Sequence, residues 1–190
     1  MRAFIALLVF IFGLQTCTKA NDISDFQMEG ISIGDSLLNF STEKKIKSAK
    51  SNRQYPNDKF IIYEADKFLE INNYNFFAVT IKKNDTKYII TSMSGSIYFD
   101  KLEECYEIRN QIKSDVEKLI NFDQLEESKY KSQDGTADID ALQYFLKPYP
   151  SVEAIVLNCN QYSKGNFKND LSVSVNPEEY AYFLINEAYK

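Results

Sequence analysis

A chain of 190 residues is long enough for one domain with a full hydrophobic core. Its 27 acidic side chains outnumber 22 basic ones, a net charge of −5, which excludes nucleic acid as an expected partner because phosphate contacts need a basic patch. There is no histidine, which removes Ser-His-Asp and Cys-His catalysis, histidine-bearing zinc sites and imidazole pH switches together. Three cysteines also fall short of a four-cysteine zinc site, so no metal or other cofactor is expected.

The N-terminus reads as a secretion signal over residues 1–20. Arg2 precedes an apolar run from Ala3 to Leu14, and a more polar stretch from Gln15 to Lys19 ends at Ala20, the order of regions in a cleavable leader. Thr18 and Ala20 supply the small residues of a peptidase site, so the mature chain begins at Asn21 and residues 21–190 form a single domain. The apolar run is shorter than the roughly 20 residues of a transmembrane helix, and no membrane span is expected in the mature chain. One alternative is lipidation at Cys17, for which Leu14 is correctly placed, giving a lipid-anchored envelope protein; another is a buried N-terminal helix. Losing Arg2 and Lys19 would leave 20 basic against 27 acidic side chains. Arginine is confined to Arg2, Arg53 and Arg109 among many lysines, a usage that points to AT-rich codons.

After a short lead-in at 21–30, Ile31-Ser32-Ile33 runs into Gly34-Asp35-Ser36, where Asp35 or Ser36 caps a helix starting at Leu37. Ser41-Thr42-Glu43 restarts it as a short turn reaching Ile46, and the polar stretch 47–58, with Pro56, is a loop. Three strands follow. Lys59 to Glu64 is the first; Asn75 to Lys82 sets Phe77, Val79 and Ile81 on one side; Lys87 to Met93 pairs with it through a turn at Asn84-Asp85. Gly95 is expected to break the sheet, at once or after a short extension through Ile97. Residues 100–120 form the clearest helix, since Leu102, Cys105, Ile108, Ile112, Val116 and Leu119 recur at helical spacing. The polar stretch 121–138 reads as a long loop with some irregular extension. Asp140 to Leu146, with a short helix as its alternative, and Val152 to Tyr162 read as strands around Lys147-Pro148-Tyr149-Pro150-Ser151.

Leu171, Val173 and Val175 alternate as the last strand. Asn176 as cap, Pro177 in the first helical position and Glu178-Glu179 then open a terminal helix that buries Tyr180, Phe183, Leu184 and Ala188. The expected fold class is α+β in the order α-βββ-α-βββ-α, with antiparallel pairing and the helices packed on the sheet. Whether the strand triplets make one sheet or two stays open.

Gly34-Asp35-Ser36-Leu37 resembles the nucleophile block of the GDSL esterases and lipases. That chemistry needs a histidine base, which the family carries in an Asp-x-x-His block near the C-terminus. This chain has none, and its strand order is wrong for the family's parallel sheet. Ser36 is therefore expected to cap a helix, and no catalytic residue is assigned. Asp134, Asp138 and Asp140 surround Gly135 without the spacing of a calcium loop, and read as a solvated acidic loop. Asn39-Phe40-Ser41 and Asn84-Asp85-Thr86 match the N-glycosylation sequon, relevant only to a eukaryotic secretory pathway. Tyr144, Phe145, Tyr149 and Tyr162 form either a sticky patch for a peptide or glycan or, the preferred reading at these spacings, core and cross-strand pairs.

Export supplies an oxidising compartment, and removal of Cys17 with the leader leaves Cys105 and Cys159 as an even pair. Cys105 lies on the helix stripe with Leu102, Ile108 and Ile112, while Cys159 shares a strand face with Ile155 and Leu157, so both side chains point into the core. A Cys105–Cys159 disulfide is expected, with two buried free thiols as the alternative. Redox catalysis is disfavoured by the absence of a Cys-x-x-Cys motif and of a flanking histidine.

Over Glu29-Gly30-Ile31-Ser32-Ile33-Gly34-Asp35-Ser36-Leu37-Leu38, and again from Cys159 to Phe183, the chain resembles small exported proteins of AT-rich, Pelagibacter-like marine bacteria, with Tyr162 where those proteins carry Trp. More remotely, its glycine-led helix followed by strands is similar to the BamE (SmpA) and β-lactamase-inhibitor-protein folds, which are envelope binding modules. Those marine proteins have no assigned activity, and the resemblance carries no functional residues across; the reading of the whole chain is a periplasmic or secreted, non-enzymatic domain acting by contact with a protein or other envelope partner. The alternative is a hydrolase that uses paired carboxylates on an envelope glycan or ester, recognisable by a pocket lined with clustered acids.

Overall fold

The computed structural model describes residues 22–132, 134–163 and 167–190. The expected leader at 1–20, its cleavage point before Asn21, and Cys17 lie outside the described residues.

The chain is α+β, and its main sheet is a single seven-stranded antiparallel one. A two-stranded hairpin of β1 (Gln27–Met28) and β2 (Ile31–Ser32) comes first, then a 3-10 turn at Leu37–Asn39 and the short helix α1 (Glu43–Ser48). Strands β3 (Phe60–Glu64), β4 (Phe76–Lys82) and β5 (Ile90–Tyr98) precede the long helix α2 (Leu102–Leu119). Four strands, β6 (Gln124–Lys131), β7 (Ala137–Phe145), β8 (Ala154–Tyr162) and β9 (Asp170–Asn176), lead to the terminal helix α3 (Glu178–Asn186). The sheet order is β3-β4-β5-β9-β8-β7-β6, so the last strand of the second group joins the two halves by pairing with β5.

The alternating side chains explain the layers. Phe77, Val79, Met93, Leu157, Cys159, Leu171, Val173 and Val175 all point to one face and are buried there with Cys105 and Val116 of α2. The other face receives α3 at its β3–β4 end, where Phe60, Tyr180, Phe183 and Ala188 make a second, smaller cluster. The Tyr180 hydroxyl meets those of Tyr55 at 3.1 Å and Thr80 at 3.5 Å. Each helix therefore buries one stripe against an apolar part of the sheet, as amphipathic helices must.

Four expectations are corrected. The expected loop 121–138 contains β6, so the second group has four strands and the order is not α-βββ-α-βββ-α. β6 is an edge strand, exposed along nearly its whole length; it needs no buried face, and its charged residues guard the open edge. β5 runs straight through Gly95 to Tyr98, because the missing side chain makes room for a neighbouring ring. Asn176 ends β9 instead of capping α3: it is buried, accepts a hydrogen bond from Ser92 Oγ at 3.1 Å, and leaves Pro177 as the cap residue. Leu119 is 56% exposed at the end of α2, and Ile120 takes its place in the core.

Candidate functional site

The residues singled out by sequence fall into separate places. In the Gly34-Asp35-Ser36-Leu37 block each residue has a local task. Gly34 takes φ +92°, a conformation open to glycine and strained for other residues. Asp35 Oδ2 accepts from the Ser32 backbone N–H at 2.9 Å. Ser36 Oγ accepts from the Leu38 N–H at 3.2 Å and donates to the Lys87 carbonyl at 2.5 Å, and Leu37 is fully buried. Ser36 is thus a cap on a 3-10 turn and ties it to the β4–β5 connection. Cys105 and Cys159 are at disulfide distance, with Cα atoms 6.0 Å apart, and join α2 to β8.

The three aspartates around Gly135 diverge. Asp134 accepts from Ser132 and Thr136, Asp138 pairs with Lys131, and Asp140 turns beneath α2. Among the described residues no group of three or more His, Cys, Asp or Glu side chains is placed to hold a metal ion, and no helix is long and apolar enough to cross a membrane. Asn39 and Asn84 are both exposed. Tyr144 is fully buried under α2, Tyr149 is 91% exposed, and Phe145 and Tyr162 lie on the other face of the sheet, so the four aromatics make no common patch.

Two hollows have a chemistry of their own. The first, of about 400 Å³, lies between α2 and the β6–β7 hairpin and is lined by Leu102, Tyr106, Tyr130 and Ile139 beside the disulfide. Its charges are already matched to one another. Asp140 accepts from Arg109 at 2.8 Å, Lys129 at 2.9 Å and the Tyr106 hydroxyl at 3.0 Å, and Lys131 pairs with Asp138 at 2.5 Å. Burial alone would push the Asp140 carboxyl up, but these donors outweigh it and hold it below the ordinary carboxylate range. The arrangement is a clamp of helix to sheet.

The second hollow lies on the opposite face of the sheet, away from α2. There the register sets Ser94 beside Ser174, Ser96 beside Ser172, and Asn160 beside Asp170. Short polar side chains are what water selects on the solvated side of an antiparallel sheet. Asp170 departs from that pattern because it is only 6% exposed. Its Oδ1 accepts from Asn160 Nδ2 at 3.2 Å, and the Ser96 hydroxyl lines the same hollow as a second donor that favours the ionised form. Burial pushes its carboxyl above the ordinary range, against the opposing pull of those two donors and of the Arg53 charge.

Asp170 and Ser96 form the base of a hollow of about 310 Å³ walled by Phe76, Tyr98, Tyr162 and Phe167, with Arg53 and Lys168 exposed at its rim. The Arg53 guanidinium sits 5.5 Å from the centre of the Phe167 ring, and the Lys168 ammonium 5.4 Å from that of Tyr98. Neither cation belongs to an ion pair among the described residues. Arg53 is brought there because Ser51 pairs with β3 through the Ile62 carbonyl at 2.9 Å, and the Arg53 N–H then bonds Ser51 Oγ at 3.1 Å. Asn169 Oδ1 accepts from the Tyr162 N–H at 2.8 Å and fixes the opposite wall.

Among these wall and rim residues, only Tyr162 stands out in the sequence as a candidate for binding. Arg53 carries a signal, as one of two arginines after residue 20 in a lysine-rich chain. Asp170 carries none, since an aspartate at a strand start is ordinary. Compared with known proteins, the chain matches no family model, no curated sequence and no solved structure.

Proposed function

We propose that this is an exported, non-enzymatic binding domain and that the hollow over Asp170 is where it binds. The observation that carries the reading is a buried carboxyl at the base of an aromatic-walled hollow whose rim holds two cations that form no ion pair among the described residues. Burying a carboxyl against its preference for water costs stability, and groups kept at such a cost in a concave site mark function more often than elsewhere. Asp170 is the one acid among the described residues lining the hollow, whereas the paired-carboxylate hydrolase alternative needs two. The leader-like residues 1–20, the resemblance to exported marine bacterial proteins, and the Cys105–Cys159 pair support a periplasmic or secreted location.

Two measurements test the reading. N-terminal sequencing of the protein from its native host should find Asn21 first; an intact Met1 or a lipid-modified Cys17 would overturn it. Saturation-transfer NMR against a panel of sugars, organic acids and short peptides should find compounds whose binding is lost in a Tyr98→Ala/Phe167→Ala variant. Binding that survives in that variant, or turnover of a panel compound that depends on Asp170, would refute it.

A further inference from the structure

We infer that the hollow over Asp170 takes an acidic sugar, one pyranose ring bearing a carboxylate, either free or as a residue of an acidic polysaccharide. This rests on the binding reading above and names its ligand.

Three features of the hollow select that chemistry together. Its size is the first: about 310 Å³ lies at the small end of ligand pockets and has room for one ring seated from its open side. Its walls are the second. Tyr162 and Phe167 pack on each other, 5.3 Å apart with their planes tilted by 35°, as one wall, and Tyr98 is on the neighbouring strand, opposite Asp170. Aromatic faces hold the C–H faces of a ring while its polar edge stays free.

The third feature is the division of polar groups by depth. At the base, the Asp170 carboxyl and the Ser96 hydroxyl are short side chains on rigid strands. A carboxylate offers about four lone-pair positions, and Asn160 uses one of them, which leaves acceptors for sugar hydroxyls. At the rim, Arg53 and Lys168 rest on the aromatic walls. They are positioned to meet a carboxylate at the outer end of the ligand, where charge-assisted hydrogen bonds are the stronger kind. A neutral sugar would leave the rim unused, and a simple inorganic anion would leave the walls and base unused. An aromatic acid would bury Asp170 without giving it a hydroxyl.

The test titrates sodium glucuronate, glucose and sodium sulfate into ¹⁵N-labelled protein produced through an oxidising export pathway, following the amides of Tyr98, Tyr162 and Asp170. Glucuronate should shift these amides to saturation and bind about tenfold more tightly than glucose or sulfate. In an Arg53→Gln/Lys168→Gln variant, changed only at exposed positions, glucuronate should fall to within about twofold of glucose while the rest of the spectrum is preserved. A trimer of uronic acids binding more tightly than the monomer identifies a polysaccharide as the source; equal binding identifies the free acid. Glucose binding as well as glucuronate, or a preference for glucuronate that persists in the variant, would overturn the assignment. If benzoate or a short peptide shifts the same amides and glucuronate does not, the ligand class is wrong and the binding site stands. If nothing on the panel shifts them, both fail.

Discussion

The ring of Tyr74 fills the space above Gly95: a Cβ at position 95 would lie 2.4 Å from Tyr74 Cδ1 and 2.6 Å from Cε1 and Cγ. The ring is held there by Phe77, with centroids 5.6 Å apart, so it cannot move aside without disturbing the core. Gly95→Ala should therefore destabilise the fold by about 1–3 kcal/mol, the range for overpacking. Urea denaturation should show a lower midpoint with an unchanged slope. Replacing Tyr74 with Ala in the same chain should make the Gly95→Ala cost smaller than in the native background, because the two positions are in contact. An additive pair would contradict the steric account.

A disulfide between Cys105 and Cys159, which lie at disulfide distance, would close a loop across a sequence separation of 54 residues, and the chain-entropy argument assigns such a loop about 4 kcal/mol. Replacing both cysteines with Ala should lower stability by ~2–5 kcal/mol. Thiol titration of the denatured, unreduced mature protein should find no free thiol; two would show that the pair is reduced.

Arg109 and Lys129 both bond Asp140, but with unequal consequence. The side chains of Arg109 and Asp140 are each 15% exposed, whereas that of Lys129 is 77% exposed. Arg109→Ala should cost about 1.5–3 kcal/mol, as for a shielded hydrogen bond to a charged group, and Lys129→Ala clearly less, because its ammonium stays in water. The folded carboxyl titrates below its unfolded value, so its contribution is present above the unfolded pKa of ~3.9 and is lost as pH falls through the folded one. The Arg109→Ala penalty should accordingly shrink in acid; a penalty independent of pH would remove Asp140 from the explanation.

Asp170 has the opposite sign. Its folded carboxyl holds its proton to a higher pH than the unfolded one. The stability it contributes is complete below the unfolded pKa of ~3.9 and declines as pH rises through the folded value. Asp170→Asn keeps an acceptor for Asn160 and cannot ionise. Thermal melts should show it matching the native protein in acid and exceeding it at neutral pH. A native protein that melts higher than Asp170→Asn at neutral pH would show that the ionised carboxyl stabilises the fold.

Ser36→Ala removes the cap on the 3-10 turn and the bond to Lys87. The loss should be about 0.5–2 kcal/mol. Ester hydrolysis that disappeared in the folded variant would mean that Ser36 is a nucleophile after all.

Features that depend on local pattern were legible in the chain. The spacing of Cys105, Ile108, Ile112 and Val116 marked α2, and the alternation of Leu171, Val173 and Val175 marked β9, because a buried face writes its period into the chain. The Cys105–Cys159 pair followed from two such faces meeting in one core. Composition argued against the esterase reading, because a chain without histidine has no imidazole base for Ser36, and the expected strand order argued the same way.

β6 left no such trace, since an exposed edge strand buries neither face and its residues read like a loop. Gly95 was ambiguous for a related reason: only the position of Tyr74, which no local rule dictates, shows that the glycine serves packing and does not break the strand. The Asp170 hollow was decided wholly by tertiary structure. Its acid comes from the start of β9, its walls from β4, β5, β8 and the segment before β9, and Arg53 from the segment pinned beside β3. These residues have no common spacing in the chain. The pairing of β5 with β9 brings Tyr98 and Asp170 together and buries a carboxyl that its neighbours in sequence would have left in water.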